Sequence, residues 1–135
     1  NVMSRIRSRG NAATELRFIE IMRAHRIAGW RRNINLPGHP DFVFNRERVI
    51  VFVDGDFWHG NPKGFRLPKS NLKYWQQKIL SNRKRDRRIS RLLRIRGWTV
   101  LRFWQSSLKH SDRVARRLQR YLRHDSRRPR SREER

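Results

Sequence analysis

The run Val49-Ile50-Val51-Phe52-Val53 is uninterrupted by any polar residue, and four of its five members are β-branched. A strand that alternates with solvent shows every second residue polar. A continuous run of this length reads instead as a central strand buried on both faces. Just before it, Asp41-Phe42-Val43-Phe44 forms a second apolar run, separated from the first by Asn45–Arg48. Two such runs joined by four polar residues are a hairpin signal. The 135 residues fit one domain. Hydrophobic content is low at 36%, yet five Trp and seven Phe supply enough large apolar surface for a modest core, which excludes a wholly disordered chain. The complete lack of Cys excludes disulfides, thiolate zinc sites and Cys nucleophiles.

The rest of the chain reads as helices around that hairpin. A first helix is expected over Ala12–Ala28, with Asn11 as N-cap, a face of Leu16, Ile19, Met22 and Ile27, and Gly29 as its end. Trp30–Asn35 suits a short edge strand, and Leu36–Pro40 a turn. Asp54–Ser70 reads as a long loop, too rich in aromatics to be a simple connector. A helix then starts at Asn71 with Leu72, Trp75, Ile79 and Leu80 on one face. A second spans Asn82–Arg96, burying Ile89, Leu92, Leu93 and Ile95 and stopping at Gly97. Trp98–Trp104 is a third core strand, and Asp112–Arg123 a last helix presenting Val114, Leu118 and Leu122 with Tyr121 beside them. The expected fold class is α/β: a single domain, residues 1–124, with a mixed β-sheet flanked by helices, followed by a basic flexible tail over 125–135. The first ten residues are polar and basic, unlike a secretory signal, and no apolar run approaches the roughly 18 residues of a membrane span.

Thirty-five Lys and Arg face eleven Asp and Glu, a formal charge of +24. Such a chain seeks a polyanion, and nucleic acid leads. Carboxylates then need explaining, because each repels phosphate unless a cation stands between them. Asp41 opens one strand of the hairpin and Asp54 closes the other, so antiparallel pairing brings them to one end of the sheet, where a helix-borne Glu15 can join them. Hard oxygens so placed suit Mg²⁺, which takes one or two carboxylates and keeps several waters. The alternative is that Asp41 and Asp54 are turn residues beside Pro40 and Gly55. His59, in the loop after Asp54, is a candidate general acid or base, or else a packed loop histidine. Phe57 and Trp58, in the same loop, and Trp75 fit either stacking on bases or a small core under the loop. Asn82–Arg96 carries eight basic residues, among them Arg83, Lys84, Arg87 and Arg88, against the single acid Asp86, which favours phosphate contact over a merely solvated face.

Three elements in order, Pro37-Gly38-His39-Pro40-Asp41-Phe42-Val43, Val53-Asp54-Gly55-Asp56-Phe57-Trp58-His59 and Arg85-Asp86-Arg87-Arg88, followed by Gly97-Trp98-Thr99-Val100-Leu101, resemble the very short patch repair (Vsr) DNA mismatch endonucleases. The resemblance spans about Met3 to Trp104. It implies a restriction-endonuclease-like fold and a Mg²⁺-dependent site in which Asp41 and the backbone carbonyl of Val53 bind the metal. It makes His59 the residue that helps activate water, with Glu15 and Asp86 as supporting acids. Phe57, Trp58 and Trp75 match the family's wedge beside a T:G mismatch, and Met3 matches the residue entering from the minor groove. Two positions depart. Family members carry a structural zinc held by Cys and His; here Asp56, Asn61 and Ser106 stand at corresponding positions, so no structural zinc is expected. Asp54 stands where a second histidine is usual, which makes it a candidate direct metal ligand. The expected function is a DNA endonuclease nicking one strand of double-stranded DNA at or near a T:G mismatch. A sequence-specific nicking, homing or restriction nuclease, or a non-catalytic nucleic-acid binder, are the alternatives. A monomer in the cytoplasm, associated with the nucleoid and with no membrane contact, goes with that expectation.

Overall fold

A computed structural model of the chain describes residues 2–63 and 67–126, the side chains of 2–11 and 123–126 excepted. The elements run α1 (Val2–Ala24), β1 (Phe42–Phe44), β2 (Val49–Asp54), α2 (Asp56–His59), α3 (Leu72–Ile95), β3 (Thr99–Trp104), a 3₁₀ helix (Gln105–Lys109) and α4 (Ser111–Ser126). The three strands form one mixed sheet in the order β1-β2-β3, with β1 antiparallel and β2/β3 parallel. The parallel pair requires a crossover, and α3 supplies it. The fold is therefore α/β with helices against both faces, as the sequence implies.

Alternation along β2 assigns each side chain to a face. Val49 and Val51 join Phe42, Phe44, Leu101 and Phe103 in a core covered by Phe18, Ile21 and Met22 of α1 and Leu118 of α4. Ile50 and Phe52 join Val43 and Val100 on the opposite face, covered by Leu93 of α3 and by Trp98. At the centre of the first core Phe18 stacks on Phe42 at 5.2 Å between ring centroids and tilts against Phe103 at 5.3 Å. Aromatic pairs so arranged add to the burial of their area.

Several boundaries differ from the sequence reading. The first helix starts ten residues before Ala12, at Val2, and ends at Ala24 rather than Ala28. Its end is a Schellman turn: Ile27 N–H reaches the Met22 carbonyl at 2.8 Å and Arg26 N–H the Arg23 carbonyl at 3.2 Å, with Arg26 at φ 56°. A non-glycine residue in that conformation leaves no sequence mark, so Gly29 was the visible but wrong stop. Trp30–Asn35 contributes one isolated bridge, Arg31 to Val43, not a strand. The expected loop contains the one-turn helix α2. The two helices expected over Asn71–Arg96 are one, because nothing between Leu72 and Ile95 breaks it; it closes with a Schellman turn at Gly97, φ 93°, where Trp98 N–H bonds the Leu93 carbonyl at 3.1 Å. Leu16, Leu72, Leu80, Leu92, Ile95 and Tyr121, expected on buried faces, are exposed. The last helix extends to Ser126; the remainder of the expected tail, 127–135, lies outside the described residues.

Phe18→Ala should lower the unfolding free energy by about 3–5 kcal/mol, read from denaturant midpoints. Leu16→Ala, at a site 58% exposed, should change it by no more than about 0.5 kcal/mol.

Candidate active site

The site forms where β2 ends. Asp41 N–H bonds the Val51 carbonyl at 3.0 Å, and the Asp41 carboxylate accepts the Val53 N–H at 2.6 Å. The side chain thus extends the ladder one step past β1 and is fixed against the strand end. Asp41, Val53, Asp54, Trp58, His59, Asp86 and Arg102 all line one cleft of about 520 Å³. The hairpin geometry therefore does bring Asp41 and Asp54 to one end of the sheet.

Burial dominates the chemistry of Asp41. It pushes the carboxyl up to about 7; the Val53 N–H opposes this, while a hydrogen bond and the charge of Glu15, and the charge of Asp54, add to it. Glu15 reaches this point from α1 and is also paired with Arg32, a partner that the sequence did not suggest.

Asp54 has a partner that the sequence reading did not name. Strand alternation turns it to the α3 face, where both its oxygens accept from Arg102 Nη1, at 2.9 and 3.2 Å. Burial raises its carboxyl above the ordinary range, and Arg102 and His59 pull it back. Arg102 is the residue sequence reading missed. It lies in β3 between the buried Leu101 and Phe103, opposite Phe52, and its guanidinium stacks over the Phe52 ring at 4.1 Å. It also donates to Ser90 Oγ at 2.9 Å and to the Asp86 carbonyl at 3.3 Å. An arginine on the inward side of a core strand was the available signal.

His59 Nδ1 lies 2.5 Å from Asp86 Oδ2 and 3.9 Å from Asp54 Oδ1. A carboxylate on Nδ1 fixes the ring and leaves Nε2 to exchange a proton. Among the described residues no three His, Cys, Asp or Glu side chains form a metal-binding group.

The aromatic residues converge. Phe57, Trp58 and Trp75 pack edge to face at 5.1, 5.3 and 5.9 Å, with Tyr74 against Trp75 at 5.0 Å. The three are half-buried, so they form a cluster that still presents surface. Arg83, Lys84, Arg87 and Arg88 are exposed along α3, and Arg83 and Arg87 line a second cleft of about 230 Å³ that shares Asp54, His59, Asp86 and Arg102 with the first. Met3 belongs to α1 by its backbone, and its side chain lies outside the described ones.

The family profile of the DNA mismatch endonuclease Vsr matches residues 1–63. The DNA mismatch endonuclease Vsr of Escherichia coli is 35% identical over 106 residues, covering 77% of this chain and 67% of the relative. The type II nicking enzyme V.XorIIP of Xanthomonas oryzae pv. oryzae is 45% identical over 91 residues, 65% of each chain. The type II nicking enzyme V.NmeDIP of Neisseria meningitidis is 44% identical over 73 residues, 53% of this chain and 49% of the relative. The chain thus spans about half to two thirds of the length of these relatives.

Two outcomes follow from the site. Folded Asp41 holds its proton to about pH 7, whereas an unfolded one releases it near 3.8. Between those values the folded state binds more protons, so without added metal this group makes the protein less stable as pH rises, levelling above 7. The thermal midpoint of Asp41→Asn relative to the unsubstituted chain should therefore climb across that window, and a pH-independent difference would contradict the assignment. Arg102→Met should cost about 3–5 kcal/mol by leaving Asp54 buried without its cation, and adding Asp54→Asn should recover part of it in the same denaturant measurement.

Proposed function

The chain belongs to the family of the DNA mismatch endonuclease Vsr, and we propose that it is a Mg²⁺-dependent DNA endonuclease that nicks one strand at or near a T:G mismatch. The observation that carries this reading is the convergence, in one cleft, of a buried carboxylate tied to the strand end and a histidine held by a carboxylate. A pure nucleic-acid binder has no use for acids gathered in a chain of this charge.

The donor set fits the metal. Asp41 and Glu15 lie together at the strand end, where burial first, and then the hydrogen bond and charge of Glu15, raise the Asp41 carboxyl, so a bound cation would offset both. One carboxylate and one backbone carbonyl suit Mg²⁺, which takes one or two carboxylates and keeps several waters. Asp41 and the Val53 carbonyl would hold Mg²⁺, with Glu15 ordering its surroundings. When bound, the ion would supply Lewis acidity that offsets negative charge on the scissile phosphodiester and polarises water. Asp54 keeps Arg102 in place and shapes the His59 side of the cleft.

The chain's own residues do the proton work. His59, with Nδ1 engaged by Asp86, accepts a proton from water at Nε2. Asp86 is steadied through its carbonyl by Arg102 and is carried on a helix whose exposed Arg83, Lys84, Arg87 and Arg88 meet phosphates. Phe57, Trp58 and Trp75 serve as the wedge. Opening a base step costs a few kcal/mol, and a mismatched step costs less than a paired one, so the wedge separates the two substrates while phosphate contacts serve both. Met3 would approach from the minor groove. A second reading, sequence-specific nicking, is favoured by the two relatives named as nicking enzymes.

Strand-labelled duplexes, matched and T:G-mismatched, should be tested with Mg²⁺ and with EDTA. Nicking of one strand of the mismatched duplex, abolished by EDTA, is the expected result. Equal nicking of matched DNA moves the assignment to the second reading, and no nicking with Mg²⁺ rejects both. Asp41→Ala should stop cutting yet retain binding. Binding should weaken steeply with salt, by a log–log slope of about −0.9 for each phosphate contacted, with 6–10 contacts. Trp58→Ala should bring the two cutting rates together; if instead it lowers the thermal midpoint and slows all cutting equally, the aromatics are structural.

A further inference from the structure

Helix α2 cannot hold itself in place. It is a single turn, Asp56–His59, with no buried residue of its own, and isolated helices shorter than about 12 residues are marginal in water. Yet it carries Phe57, Trp58 and His59, whose positions decide the chemistry. One flank is tied to α3: Asn82 Nδ2 donates to the Trp58 carbonyl at 2.9 Å, and Gly60, φ 69°, lies so close that a Cβ there would stand 2.6 Å from Ile79 Cγ2.

The other flank is tied by three polar residues. Asp56 Oδ1 accepts from Asn61 Nδ2 and from the Ser106 hydroxyl, each at 2.7 Å, and Oδ2 accepts the Ser106 N–H at 3.1 Å. Asn61 Oδ1 accepts the Lys63 N–H at 3.1 Å, and Asn61 N–H bonds the Asp56 carbonyl at 2.9 Å. Asn61 is only 5% exposed, so its amide is satisfied by these partners and not by bulk water. Asp56 and Ser106 are fifty positions apart in sequence; their bonds join α2 to the 3₁₀ helix that follows β3. The family resemblance would place zinc here. The donor set does not fit it: both Asp56 oxygens are taken by N–H and O–H donors, and the chain has no thiolate.

We propose that Asp56, Asn61 and Ser106 are positioning residues whose hydrogen-bond knot does the fastening a metal would do, fixing α2 and with it His59 and the aromatic cluster. The inference rests on the nuclease reading for its effect on cutting, but the knot can be tested without DNA.

Amide hydrogen exchange of the full chain, read over 57–61 and over β2, should be combined with single-turnover cutting of the T:G duplex. Asp56→Asn turns an amide donor toward donors, so exchange over 57–61 should quicken and cutting should slow by about tenfold or more, while β2 exchange and DNA affinity hold. The reciprocal pair Asp56→Asn with Asn61→Asp moves the carboxylate to position 61 and the amide to 56, reversing donor and acceptor. It should return both readouts toward the unsubstituted chain, whereas Asn61→Asp alone sets two carboxylates together and should be worst. If Asp56→Asn prevents folding, Ser106→Ala, which loses only the hydroxyl's bonds to Asp56 and Asn61, is read in the same way. Unchanged local exchange, equal acceleration over β2, or a reciprocal pair no better than its singles overturns the proposal. If the unsubstituted chain cuts no duplex, the nuclease reading fails and exchange alone decides the knot.

Discussion

A carboxylate at the buried end of a central strand cannot stand alone, and the ion pair of Asp54 with Arg102 answers that constraint. Strand β2 is covered on both faces, so its last residue is carried into the interior beside α3. Ionised and unpaired there, it would cost several kcal/mol. Arg102, one strand over and on the same face, supplies the charge, stacks its guanidinium on Phe52 and uses its remaining donors on Ser90 and the Asp86 carbonyl. Sheet and crossover helix are thereby locked at the point where His59 meets Asp86. The site is thus built into the edge of the core, and its acids are held by the bonds that join the layers.

The same constraint explains why α3 resisted a reading from hydropathy. Its inward stripe runs Ile79, Asn82, Asp86, Ile89 with Ser90, and Leu93, each three or four residues from the last. That spacing is one continuous helical face. Its middle is polar because each of those residues has work at the site: Asn82 holds the Trp58 carbonyl, Asp86 holds His59, and Ser90 receives Arg102. Counting apolar residues alone divides the helix between Leu80 and Asn82. The polar residues that follow continue the same face and form the active-site wall.

Helix ends show a parallel division. Both α1 and α3 close with the same Schellman pattern. At α3 the left-handed residue is Gly97, which the sequence announces; at α1 it is Arg26, which pays in backbone energy for a conformation that Ile27, buried in the core, makes worthwhile. Exposed apolar residues such as Leu16 and Ile95 misled for a related reason: helical spacing says which residues share a face, not which face meets the sheet.

What the sequence determined by itself was the hairpin, the buried central strand, the third strand, the α/β class and the Asp41, Asp54 and His59 neighbourhood. These follow from local chemistry, since apolar runs, turn residues and strand ends act over a few positions. The tertiary structure alone decided what those groups touch. Arg102 answers Asp54 across 48 positions, Asp86 meets His59 across 27, and Ser106 meets Asp56 across 50. Partners that distant carry no local signature; burial selects them, because a charge or amide closed off from water must find its counterpart wherever the fold brings one within about 3 Å.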